Sequence, residues 1–140
     1  MKTLRSKLYG GIILVALLIV PFFQSCKKYP DGPGFSVRTR KERVTNDWKV
    51  ENYKINDRDF TSLVSAYTES YTKNGGYAYF WGSASGSGSW EFQNHDEEIK
   101  LTGTDDHASR RLYILKLEEK QFWYYYMDGS DRCELHLIEQ

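Results

Sequence analysis

At 140 residues the chain is the right size for one domain. Its 19 basic and 19 acidic residues cancel, and a whole-chain charge of zero excludes the basic footprint of a nucleic-acid binder. Aromatic residues make up 16% of the chain, and all three prolines (Pro21, Pro30, Pro33) fall before residue 35, so everything after Gly34 is free to form uninterrupted strands or helices.

The first segment is basic, with Lys2, Arg5 and Lys7 and no acid. An apolar run of about sixteen residues follows, from Leu8 to Phe23. A helix that spans a bilayer needs roughly 20 apolar residues, so this run is short for a span. A basic start and a short apolar stretch ending at a small residue, here Ser25, describe a secretory signal peptide over residues 1–25. Cys26 comes next, and three readings are open for it: a buried core thiol, half of a disulfide with Cys133, or the first residue of the mature protein. The basic start, the apolar run and Phe23-Gln24-Ser25-Cys26 together resemble a bacterial lipoprotein signal. That resemblance implies cleavage before Cys26, acylation of its sulfur and new amine with palmitate-type chains, and anchoring in the cell envelope. Two or three chains hold stably, because each buried methylene contributes about 0.8 kcal/mol and one chain alone is marginal. Lys27 after the cysteine, in place of Asp, implies the outer membrane of a Gram-negative cell. A disulfide would tie a linker to the last strand, and a lipidated Cys26 rules it out; Cys133 then reads as a small buried apolar residue. Removing residues 1–25 leaves 16 basic against 19 acidic residues, a net charge of −3. Pro30, Gly32, Pro33 and Gly34 mark residues 26–36 as a tether.

Ser36–Asn46 is polar and basic, with room for one or two helical turns. From Asp47 the pattern changes to a period of two. Trp48 and Val50 alternate with Lys49 and Glu51. Tyr67, Glu69 and Tyr71 share one side of their segment. Asn74-Gly75 is a hairpin signal, after which Tyr77–Trp81 runs back. Ser83–Ser89 reads as a flexible link. Trp90 and Phe92 alternate with Glu91 and Gln93, and Ile99 and Leu101 with Lys100 and Thr102. Thr104–Ser109 is a longer loop. Arg110–Glu118 and Phe122–Met127 are rich in strand formers. Cys133, Leu135 and Leu137 face one way in the last strand. About eight strands joined mostly by hairpins predict an all-β, eight-stranded antiparallel up-and-down barrel over residues 37–140.

The segment "RKERVTNDWKVENYKIN", a short turn leading into a tryptophan that opens the first strand, resembles small lipocalin-like domains of bacterial lipoproteins. Asn46 stands where lipocalins typically have Gly, two positions before the tryptophan. The resemblance implies a barrel whose interior is either filled or shared with one small apolar ligand.

The candidate lining, of a pocket or of a core, is Trp48, Val50, Tyr79, Trp81, Trp90, Phe92 and Tyr124. The mouth is expected near residues 57–66 and 83–89. Two of the three histidines, His95 and His107, sit beside acids in loops that would form a metal site only if they met at one barrel end. Glu69, Glu91 and Glu97 are acids that pair only if the fold brings them together. No nucleophile elbow, phosphate-cradling loop or His-Glu-x-x-His segment is present, which argues against an enzyme; no cofactor and no metal are expected. Expected partners are the membrane through the lipid on Cys26, a small apolar ligand, and an envelope protein. The competing reading is a filled barrel that serves an outer-membrane complex through its outer surface.

Overall fold

The computed structural model describes residues 28–32 and 36–140. The signal segment and Cys26 lie outside the described residues.

The body opens with a single helical turn, α1 (Arg40–Val44). Thr39 starts it with a reciprocal cap: the Glu42 amide donates to Thr39 Oγ1 at 3.2 Å, and the Thr39 amide donates to Glu42 Oε2 at 2.8 Å. The Thr39 amide and the Thr39 hydroxyl, each 2.8 Å from Glu42 Oε2, hold the Glu42 pKa below its usual value. Trp48 then enters the core with no exposed surface, and its indole N–H donates back to the Val44 carbonyl at 3.0 Å. Arg43 donates to the Leu117 carbonyl, which fastens the turn across one end of the sheet. This is the closed end.

Nine strands follow: β1 (Asp47–Ile55), β2 (Arg58–Asp59), β3 (Tyr67–Tyr71), β4 (Gly76–Trp81), β5 (Ala84–Gln93), β6 (Glu98–Gly103), β7 (Arg111–Leu117), β8 (Gln121–Asp128) and β9 (Asp131–Glu139). A 3-10 helix, Thr61–Val64, sits between β2 and β3. Strands β1 and β3–β9 pair antiparallel in chain order, and β9 pairs back onto β1, so eight strands close an up-and-down barrel with no free edge. The two-residue β2 pairs only with the end of β1, as the return of a small hairpin.

Alternation decides which side chains point inward, and two bulges reset it. In β1 the register with β9 shifts between Val50 and Asn52, so Trp48, Val50, Tyr53 and Ile55 all reach the core despite the change of parity. In β7 a shift between Ile114 and Lys116 does the same for Leu112, Ile114 and Leu117.

Two expectations change. Ser83–Ser89 is not a flexible link: from Ala84 it is strand, paired with both β4 and β6. Its glycines serve close approach. A Cβ on Gly88 would lie 2.3 Å from the Thr102 carbonyl oxygen and 2.5 Å from Gly103 Cα, so two backbones pass where no side chain fits. The expected tether is also partly packed. Lys28–Gly32 lies on the barrel, with Tyr29 only 2% exposed, its hydroxyl donating to the Asp96 carbonyl at 2.8 Å and the Asp31 amide donating to the Leu115 carbonyl at 2.9 Å.

Candidate functional site

The barrel interior divides into two halves. The half toward α1 is solid. Trp48 packs on Phe122 with ring centroids 5.8 Å apart, Tyr71 meets Phe122 at 5.7 Å, and Tyr71 meets Trp90 at 5.9 Å. The Trp90 indole donates to the Thr72 carbonyl at 3.0 Å, in the β3–β4 turn at the closed end.

At mid-barrel sits a buried acid. The period of two in β3 turns Tyr67, Glu69 and Tyr71 inward together, and Glu69 is 2% exposed. Its Oε1 accepts from the hydroxyls of Tyr67 (2.7 Å), Tyr124 (2.7 Å) and Tyr77 (3.2 Å), and its Oε2 accepts from Tyr71 (2.8 Å). Both carboxylate oxygens are engaged, Oε1 by three phenols and Oε2 by one, so the buried acid has a hydrogen-bond partner at each oxygen. Bonds of this charge-assisted kind contribute about 1.5–3 kcal/mol each, which offsets the desolvation of the acid. Burial, and then the Glu69 charge, raise the pKa values of Tyr67, Tyr71, Tyr77 and Tyr124, so all four remain donors at neutral pH. The sequence signal was present in the Tyr-Thr-Glu-Ser-Tyr alternation. Tyr77 and Tyr124 could not be attached to it without the strand register.

Above this floor the barrel is hollow. A cavity of about 380 Å³ opens at the end opposite α1. Its walls are mostly apolar: Ile55 of β1, Leu63 and Val64 of the 3-10 helix, and Leu135 of β9, with Tyr53, Tyr126 and Trp81 as aromatic panels. Thr61 anchors the 3-10 helix, since its Oγ1 accepts from the Tyr53 amide at 3.0 Å and its own amide donates to Asp59 Oδ1 at 2.8 Å. Across the mouth the Trp81 indole donates to the Leu63 carbonyl at 3.3 Å. Leu63 and Trp81 are 63% and 41% exposed, so the rim is open and greasy.

Two basic side chains line this cavity, Arg110 and His107. The Arg110 guanidinium lies over the Tyr126 ring at 4.1 Å. His107 packs against Tyr79 (4.7 Å), Tyr67 (5.7 Å) and Trp81 (5.9 Å). Burial, and then the Arg110 charge, push the His107 pKa down to about 4, which leaves the imidazole neutral at pH 7. Asp105 sets the loop that carries it: Oδ1 accepts from the Ala108 amide at 2.8 Å and Oδ2 from the Tyr79 hydroxyl at 3.2 Å.

Of the seven candidate lining residues, Trp81 borders the cavity. Trp48, Trp90 and Tyr124 are buried in the solid half and the floor. Tyr79 is buried beside His107, and Val50 and Phe92 pack against the core. The mouth includes Leu63 and Val64, as the 57–66 expectation has it, but no residue of 83–89 lines the cavity. His95 and His107 are at opposite ends, in the β5–β6 turn and the β6–β7 loop, and no cluster of three or more metal-ligating side chains occurs among the described residues. Glu69, Glu91 and Glu97 do not converge: Glu69 faces the core, and Glu91 and Glu97 are exposed. Arg110 and His107 as cavity residues were not legible, because nothing in Thr104–Ser109 shows which way a loop folds back.

No protein-family model and no curated protein matches the chain. Among solved structures it is similar to a lipocalin-like protein from Bacteroides uniformis, with a TM-score of 0.55 at 10% identity, covering 70% of this chain and 99% of that one. At that identity the likeness carries the fold alone: the chain has a lipocalin-like, closed eight-stranded barrel.

Proposed function

We propose that this barrel is a binding cup for one small, largely apolar ligand, held at the cell envelope by lipid on Cys26, and that it works without covalent chemistry. The observation that carries this reading is the cavity of about 380 Å³, apolar-walled and open at one end above a solid floor. That volume is at the small end of the range for ligand pockets, which suits a single compact guest. The driving force is burial of apolar surface, about 25 cal/mol per Å² removed from water. The packed segment after the cysteine supports a direction for the cup. Lys28–Gly32 lies at the side and closed end of the barrel, so a lipid two residues earlier would bring the closed end to the bilayer and turn the mouth to the aqueous side.

The second reading, an accessory module of an outer-membrane complex, is favoured by the outer face of β7–β9. There Trp123 stacks on His136 at 4.0 Å and Tyr113 on Tyr125 at 4.8 Å, with Lys116 and Arg132 laid over the outer rings at 4.3 Å each. Native mass spectrometry of the protein purified gently from a Gram-negative host separates the two readings. A reproducible extra mass that is lost on denaturation supports the cup. A clean protein mass, with no gain on adding apolar compounds, favours the accessory role.

A further inference from the structure

The cavity is apolar except for one charged group. Arg110 lines it from the β6–β7 connection, with its guanidinium held over the ring of Tyr126, another lining residue. The Tyr126 ring covers one of its faces at 4.1 Å, which leaves the donors around its edge to other partners. No carboxylate forms an ion pair with Arg110 among the described residues. Of the acids whose charge reaches this end of the barrel, Asp128 is exposed and forms no ion pair with Arg110, and the others are already engaged. Glu69 accepts from four phenols, and Asp105 is bonded to Ala108 and Tyr79. His107 is uncharged at neutral pH and does not compete as a second cation. A wholly apolar guest would seal this guanidinium from water without giving it a counter-charge, and a desolvated unpaired charge is strongly unfavourable. An acid can meet the same fork through two parallel bonds.

Resting on the cup reading, we infer that the ligand carries one anionic group, of carboxylate or sulfonate type, seated on Arg110, with its apolar body directed toward Leu63 and Trp81 at the mouth. The test uses two fluorescent probes with one ring system, anilinonaphthalene sulfonate and its uncharged parent N-phenylnaphthylamine, titrated into the wild-type protein and into Arg110→Met. A purely apolar cup prefers the uncharged probe, because moving a sulfonate out of water is unfavourable. The expected result is a preference of about tenfold or more for the sulfonate in wild type, collapsing or reversing in Arg110→Met. Equal binding, or a preference for the uncharged probe, in wild type overturns the anion seat while leaving the cup intact. A preference that survives in Arg110→Met overturns it as well. Failure of both probes to bind overturns the cup and the seat together. Should Arg110→Met not fold, the Arg110 Nε–H resonance of the wild-type protein decides. It moves with the sulfonate and not with the uncharged probe if the inference holds, and an unmoved signal at saturating sulfonate refutes it.

Discussion

Raising the pH should unfold this barrel through its floor. Tyr67, Tyr71, Tyr77 and Tyr124 have pKa values above the ordinary 10 because they are buried and because each donates to the Glu69 carboxylate. Ionising any one of them would set a phenolate against a carboxylate at hydrogen-bond distance. In the unfolded chain the same phenols ionise freely near pH 10. Above that pH the folded protein therefore binds more protons than the unfolded one, and stability falls. The contribution is fully present below about pH 10 and is lost as pH rises beyond it. At pH 11 each phenol held protonated lowers stability by about 1.4 kcal/mol, and the four together by about 5–6 kcal/mol. That is comparable to the whole stability of a typical domain, roughly 5–15 kcal/mol. Urea denaturation at intervals between about pH 8 and 11.5 measures the fall, and tyrosinate absorbance recorded alongside shows when the buried phenols ionise. The expected outcome is a level plateau to about pH 9.5, a steep loss above it, and absorbance from the buried set that appears only with unfolding. Ionisation of the set near pH 10 in an intact barrel would refute the reasoning.

Other perturbations act on single contacts. Tyr124→Phe removes a 2.7 Å donor to Glu69 and should destabilise by about 2 kcal/mol in urea; the same change in a Glu69→Gln background should have a smaller effect, because the acceptor is no longer charged. Gly88→Ala places a methyl group against the backbone of β6 and should lower stability by about 1–3 kcal/mol, with amide exchange faster at Thr102 and Gly103 than elsewhere. Thr39→Ala removes the side-chain acceptor of the cap at α1 and should reduce stability by about 1 kcal/mol in thermal melts, whereas Thr39→Ser should retain most of it.

The barrel was legible because its strands are amphipathic in the simplest way. Trp90 and Phe92, Ile99 and Leu101, and Cys133, Leu135 and Leu137 each alternate with polar neighbours, and each pair or trio faces the core. Where a bulge changes the parity, as between Val50 and Tyr53, alternation alone misassigns the face. The glycines of Ser83–Ser89 misled for a related reason. Glycine in a sequence suggests freedom, but Gly88 is required here by the approach of Gly103 across a paired ladder. The candidate lining, offered as pocket or core, divides between the two in a way the sequence does not show, because size and hydrophobicity do not reveal height along the barrel axis. Trp48 and Trp81 read alike in the sequence, yet one plugs the closed end and the other edges the mouth. The floor was half visible, since Tyr67, Glu69 and Tyr71 share a face of one strand. Its other two donors come from β4 and β8, and only register places them. Arg110 and His107 depend on the path of a loop, and a loop leaves no periodic mark.

The four tryptophans make the central claim directly measurable. Trp81 lies at the mouth, Trp48 and Trp90 in the solid half, and Trp123 on the outer face, so their indole N–H signals mark three separate regions. We would record the proton–nitrogen correlation spectrum of the protein while adding anilinonaphthalene sulfonate. A hollow, ligand-binding upper half predicts a saturable shift of the Trp81 indole together with the amides of Leu63 and Val64, while Trp48, Trp90 and Trp123 stay in place. No saturable shift at Trp81, or shifts confined to Trp123, would contradict the account and move the site to the outer face.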